Sequence, residues 1–383
     1  MLGLTHRGFA LHDPRRHLAH TLGGAGYTCA LAGFQHEQAG EAGWSTLGYQ
    51  SFLGDSDVAE QVAASFLNDA SEQPFFLTVG FSETHREFPE PHAADGRGTT
   101  KPAAPFPDTP ETRTDMAAFN ASARILDEKM GVVFDALERN GLRDDTLVIC
   151  TTDHGIPFPG MKCSVLDGGI GVMLILRGPG GFSGGRVTDA LVSQIDLYPT
   201  ICALAGIEPP DWLEGESLLP LAQGERESVR DAVFVEVNYH AAYEPQRAVR
   251  TDRWKLARRY GSRTAPVLSN IDDSLTKDIL LAQGWADTEL PHEALYDTVL
   301  DPNESHNLID DERYAETRDD LRARLAHWMR DTDDPLLVHG YVPPPETALL
   351  NHPDAHTPSD GVLLTPHQLP GQPDSSHRPY FFD

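Results

Sequence analysis

Three short apolar runs in this chain each open directly onto a polar cluster that contains a histidine. They read "TCALAGFQH" (28–36), "FFLTVGFSETH" (75–85) and "TLVICTTDH" (146–154). Runs of this length, rich in aromatic, β-branched and small residues, predict buried strands. Helical spacing separates them. Val58, Val62, Phe66 and Leu67 recur on one face of 57–70, and 116–142 reads as a long amphipathic helix with Gly141 as its C-cap. A further helix is predicted in the region after Arg16, ended by Gly23 and Gly24, and a further strand in "GVMLILRGPG" (171–180). Strands that alternate with helices of this length constrain the chain to an α/β fold with a mainly parallel sheet flanked by helices.

The pattern changes after about residue 225. "AVFVEVNY" (232–239), "QRAVRTDRWKLARRY" (246–260) and "EALYDTVLDP" (293–302) predict strands joined by turns, and 310–332 a charged amphipathic helix. The expected organisation is an α/β domain over 1–225, a smaller C-terminal α+β domain over 226–341, and a Pro- and His-rich tail over 342–383 that lies on the body or is partly disordered. An apolar content of 40% is enough for a sizeable core. The net charge of −28, from 30 basic against 58 acidic residues, argues against nucleic-acid and anionic membrane partners, which need a basic footprint. No apolar run approaches the about 18–20 residues that span a bilayer. Cys29, Cys150, Cys163 and Cys202 are scattered without paired spacing, which fits buried free thiols and a reducing cytoplasm.

Ligands of open parallel sheets collect beyond the carboxyl ends of the strands. His36, His85 and the pair Asp153–His154 all follow predicted strands in that way. A single histidine so placed is more often a cap or a surface group; three on one inferred edge carry more weight. Asp153 offers carboxylate oxygens and His154 an imidazole nitrogen, both suited to a divalent cation, although two ligands do not close a site. Lys162 adds a compact positive charge suited to a tetrahedral oxyanion. The segment "CTTDHGIPFPGMKC" (150–163) therefore reads either as a solvated turn or as half of an oxyanion-binding metal site.

"TTDHGIPFPGMKCSVLDGGIGVMLILRGPG" closely resembles the second metal-binding segment of sulfatases, in the alkaline phosphatase superfamily. "GYTCALAGFQHE", "PFFLTVGFSETHREFPEP", "VSQIDLYPTICALAGIEPP" and "ALYDTVLDPNESHNL" resemble further landmarks of that family, over roughly residues 1–335. "HAAYEPQRAVRTDRWKLARRY" and "GIPFP" are similar to heparan N-sulfatase (sulfamidase)-like members. The resemblance implies an alkaline phosphatase-like fold and hydrolysis of sulfate esters or sulfamates. It implies a divalent cation, calcium before manganese or zinc, bound by Asp153 and His154. Lys162 would hold the sulfate oxygens, and His85 would act as acid toward the leaving oxygen or nitrogen and contact sulfate. His36 would help regenerate the nucleophile. Glu236, His240 and Arg247 would shape the pocket for a small sulfated substrate, although ordinary strand polarity accounts for them equally well.

The chain departs from the family pattern in two ways. Phe34 stands where the family has a sulfate-contacting lysine. The paired aspartates of the family's first strand, and the Cys/Ser-x-Pro/Ala-x-Arg motif whose Cys or Ser becomes formylglycine, have no counterpart in this sequence. In the family's order both would precede "MLGLTHRGF", so the first strand is expected to be missing and apolar sheet edges exposed. Loss of nucleophile and metal ligands removes the main sources of rate, so the chain as it stands is expected to be inactive. A phosphoesterase or phosphonate hydrolase of the same superfamily, and a degenerate relative that binds anions or sugars without turnover, are the competing readings.

Overall fold

The computed structural model describes residue 4 and residues 10–40, 42–69, 73–96, 98–344, 348–358 and 363–365. Its first sheet has the order β2–β1–β3, from strands β1 (Thr28–Gly33), β2 (Ser51–Gly54) and β3 (Phe75–Gly80). All pairings are parallel, and the register runs from Thr28 opposite Phe75 to Gly33 opposite Gly80. The short β2 was not expected from sequence, because "SFLG" is too brief to show a period. The helix Ala59–Asp69 covers this sheet, but its most buried face is Ala59, Ala63, Ala64 and Leu67. Val58, expected in the apolar stripe, is 42% exposed. The alanines let the helix approach closely: a methyl group at Gly33 would stand 2.9 Å from the Ala59 Cβ.

The long helix runs Pro110–Arg139, beginning six residues before the sequence reading placed it. Thr109 caps it by accepting from the Thr112 amide, and Pro110 occupies the first turn, where a missing N–H costs nothing. Its apolar face, with Val133, Ala136 and Leu137, joins a cluster that takes in Phe75, Leu77 and Val79 of β3 and Val148 of β4 (Val148–Thr151). Strand β4 pairs with β5 (Leu174–Arg177) in antiparallel fashion, contrary to the parallel arrangement expected for it. Residues 152–173 hold only the helical turn Asp167–Ile170. Without a full crossover helix the chain reverses rather than crosses over. Among the described residues β3 has a strand partner only in β1 and β4 only in β5, so both keep an open edge beside the same apolar cluster. The side chains of β3 are accordingly half-buried along its length, whereas β1 is fully buried from Cys29 onward.

The C-terminal strands β6 (Val233–Tyr239), β7 (Tyr243–Arg250), β8 (Trp254–Arg259) and β9 (Glu293–Asp297) form an antiparallel meander in chain order. The helix Ala315–Asp331 packs Leu321, Leu325 and Met329 against Val249, Leu256 and Leu295 of the sheet. Val342, Ala348 and Leu350 of the expected tail are buried in this core, and Leu350 bridges to Leu364. Most of 359–383 lies outside the described residues.

Ionic contacts join the C-terminal sheet to the turn between β4 and β5. Lys255 on β8 is fully buried, and its ammonium is paired with Asp167 and, at 2.8 Å, with Glu304. Glu304 also accepts from the Asp167 amide at 2.5 Å, and Arg250 lies 3.3 Å from the Asp167 carboxylate. Removing the ammonium leaves the buried Glu304 carboxylate without its cation. Lys255→Met should therefore destabilise the fold by about 3–5 kcal/mol, read as a fall in the urea midpoint.

Candidate anion-binding site

Beyond the carboxyl ends of β1 and β3 the backbones close to contact. The Phe34 amide donates to the Gly80 carbonyl at 2.9 Å, and a Cβ at Gly80 would fall 1.8 Å from the Phe34 carbonyl oxygen. Only glycine fits there. This closure sends residues 34–36 and 81–88 out over one edge of the sheet.

His85 is held through its neighbour. Arg86 makes a two-pronged pair with Asp115 of the long helix, at 2.6 and 2.9 Å, and donates to the Pro157 carbonyl at 3.0 Å. Its guanidinium stands over the rings of Phe88 and Phe158. Asp115 also accepts from the Thr276 hydroxyl at 2.6 Å, so the clamp reaches the C-terminal half. His85 Nδ1 lies 2.5 Å from the Arg86 carbonyl oxygen. A carbonyl can only accept, so Nδ1 carries the proton and Nε2 presents its lone pair. That Nε2 is 3.5 Å from Lys162 Nζ, whose ammonium donates.

Lys162 is 5% exposed, and its ammonium donates to Asp272 Oδ2 at 2.9 Å. Asp272 was not foreseen. It sits in an acidic loop, "NIDDS" (270–274), that carries no motif, and only folding brings it to a residue 110 positions earlier. Two buried side chains fix that loop. Lys277 donates to the carbonyls of Leu268 and Ile271 and to Asp273. Asn270 accepts from the amides of Ala241 and Ala242 and donates to Glu244. Burial alone would raise the Asp272 pKa, but the charge and hydrogen bond of Lys162, with the fields of His85 and His240, outweigh it and hold the carboxyl below its ordinary value. His240, at the β6–β7 turn, is thus near enough to Asp272 to act on its charge.

The remaining expected residues are less convergent. Asp153 is highly exposed, and its Oδ2 lies 3.5 Å from His154 Nε2. His154 Nδ1 donates to the Gly155 carbonyl at 2.6 Å, which leaves Nε2 as its possible metal donor. One carboxylate and one imidazole fit as two ligands of a divalent cation but not as its whole shell, since calcium takes six to eight oxygen donors. Among the described residues no group of three or more His, Cys, Asp and Glu is arranged to hold a metal. His36 packs its ring 5.3 Å from Phe34, which is 53% exposed.

Arg247 corrects the sequence reading. It has no exposed surface, and its guanidinium makes a two-pronged pair with Asp334 at 2.6 and 3.0 Å. It also donates to the carbonyls of Val237 and Gln246. Glu236, opposite it on β6, is its cross-strand partner at 3.4 Å. An inward position on a central strand, matched by an acid from a helix start, makes Arg247 a strut of the C-terminal core and not a pocket residue.

The parallel sheet, the C-terminal antiparallel sheet and their order along the chain define an alkaline phosphatase-like α/β fold. It is shared with a protein assigned as a sulfatase from Bacteroides thetaiotaomicron, at a TM-score of 0.64 and 21% identity over 85% of this chain and 76% of that one. The protein BT4656, in complex with its substrate D-glucosamine-2-N,6-O-disulfate, has the same fold at a TM-score of 0.65 and 17% identity, covering 85% of this chain and 84% of that one. The family profile "Sulfatase" matches residues 14–207, and "N-sulphoglucosamine sulphohydrolase, C-terminal" matches 162–274. The chain belongs to the sulfatase family, in the alkaline phosphatase superfamily. It is 30% identical over 320 residues to human N-sulphoglucosamine sulphohydrolase, spanning 70% of this chain and 63% of that one. It is also 30% identical over 269 residues to human arylsulfatase A, spanning 64% of this chain and 47% of that one. The chain thus covers less than two thirds of either human relative.

Two outcomes separate strut from site. Arg247→Met should cost about 3–5 kcal/mol of stability by stranding Asp334, with the sulfate affinity of the folded protein, measured by calorimetry, unchanged. The second concerns acid. Because the folded Asp272 pKa is depressed, its pairing contributes stability that is fully present above the unfolded value of about 3.9 and is lost as pH falls through the lower folded value. The stability deficit of Asp272→Asn should accordingly stay constant from about pH 5 to 8 and narrow below about pH 4 in urea titrations.

Proposed function

We propose that this chain carries the sulfate-binding and proton-donating part of a hydrolase of sulfate esters or sulfamates. The observation that carries the reading is the convergence of Lys162 and His85, 3.5 Å apart and held from opposite halves of the chain. Membership of the sulfatase family supports it, as does likeness to relatives named for sulfamate and sulfate-ester substrates. The Lys162 ammonium, with two of its N–H bonds directed at Asp272 and His85 Nε2, keeps one for an oxygen of a tetrahedral anion, and such a bond is worth most where water is excluded. His85 Nε2 faces the same point. To serve as acid it first takes a proton there, Nδ1 remaining on the Arg86 carbonyl, and then delivers it to the leaving oxygen or nitrogen as the bond to sulfur breaks.

Such a hydrolase would use a divalent cation, calcium before manganese or zinc, with Asp153 and His154 as two of its ligands. Such a cation would supply Lewis-acid stabilisation of charge on the sulfuryl oxygens. The nucleophile would be a formylglycine, for which this sequence has no precursor motif, and His36 would assist its regeneration. His240 would line the pocket for a small sulfated sugar or aryl substrate. Read this way, the 383-residue chain binds the anion but does not turn it over.

Lys162→Met should weaken inorganic sulfate binding at least about tenfold, about 1.4 kcal/mol, in calorimetric titrations. The unaltered chain should release no sulfate from an aryl sulfate or from N-sulfoglucosamine. Equal sulfate affinity in Lys162→Met would sink the assignment of the site, and measurable turnover would sink the expected inactivity.

A further inference from the structure

A site that served only to bind a tetrahedral anion would leave its lysine unneutralised. Here the cation is matched by a carboxylate at 2.9 Å, so the pair presents no net charge to an incoming sulfate. The carboxylate cannot swing away. Lys277, 1% exposed, and Asn270, likewise 1% exposed, tie down the chain just before Asp272, and Lys277 also holds the Asp273 carboxylate just after it. The Asp272 side chain is 15% exposed, so it remains within reach of a ligand. A carboxylate has two oxygens and about four acceptor positions, and the bond to Lys162 uses one. Such a rigid acceptor repels a bare oxyanion and rewards a ligand that brings a hydrogen-bond donor beside its anionic group.

We propose that Asp272 is a specificity-determining residue that favours sulfamates over sulfate esters. In a sulfamate the atom bridging carbon and sulfur is nitrogen and carries an N–H; in an ester it is oxygen and carries none. With the sulfuryl oxygens on Lys162, the bridging atom stands between His85 Nε2 and the Asp272 carboxylate. The N–H donates to Asp272, and an ester oxygen at the same place meets the carboxylate as one acceptor meeting another. Sites built to hydrogen-bond a substrate N–H reject analogues that lack it far more strongly than apolar pockets reject size differences. Asp272 makes no bond to sulfur and transfers no proton in this role.

The inference rests on Lys162 as the anion-binding group, and the test separates the two. Binding of inorganic sulfate, cyclohexyl sulfamate and cyclohexyl sulfate is measured by calorimetry on the full chain and on the variants K162M and D272N. The expected result is at least a tenfold preference for the sulfamate over the ester in the unaltered chain. D272N should reduce that preference below threefold while binding inorganic sulfate more tightly. If D272N does not fold, D272S takes its place. Loss of binding in K162M with an undiminished sulfamate preference in D272N overturns the role of Asp272 alone. Unchanged binding in K162M, or no binding of any of the three by the unaltered chain, overturns the anion site and the specificity with it.

Discussion

A buried ammonium must be neutralised and hydrogen-bonded, and three lysines of this chain meet that demand. Lys255, Lys162 and Lys277 are 0%, 5% and 1% exposed. Lys255 ties β8 to the Asp167 turn, and Lys162 ties the loop after β4 to Asp272. Lys277 fixes the loop that carries Asp272. Desolvating these charges is costly, and the cost is recovered only when every partner is in place. The same requirement that joins the halves therefore sets the geometry of the site.

The parallel sheet supplies the other constraint. Gly33 and Gly80 bring two strand ends into backbone contact and send two loops out over one edge. One loop delivers His85, stiffened by the Arg86–Asp115 clamp. The other delivers His36 beside an exposed Phe34. Between β3 and β4 each strand keeps an open edge against a shared apolar cluster, next to the loops that hold Asp153, His154 and Lys162. His85 and Lys162 are thus well fixed, while Asp153 and His154 remain a pair of donors without a shell.

Much of this was legible in the chain. Apolar runs gave β1, which is buried from Cys29 onward, and also β3 and β4, whose apolar side chains flank a shared cluster although they are only partly buried. Lys162 and His85 could be named because local motifs carry them. Asp272 could not, since an aspartate in an acidic loop has no local signature. Arg247 was misread for the same reason: a strand arginine shows its charge in sequence but not whether an Asp334 waits on the buried side. The antiparallel β4–β5 pairing escaped notice because a periodic run gives a strand's existence and not its direction.

By itself, the sequence determined the α/β character, the family, and the lack of a formylglycine motif within these 383 residues. Composition and short-range periodicity suffice for those, since they depend on which residues stand near one another along the chain. Only the tertiary structure decided which charges are paired. It turned Arg247 into a strut, set Asp272 against Lys162, and fixed the proton of His85 on Nδ1 through the Arg86 carbonyl. The physical reason is that ion pairs and tautomers are set by distances of a few ångströms between groups far apart in sequence, and no local pattern encodes those distances.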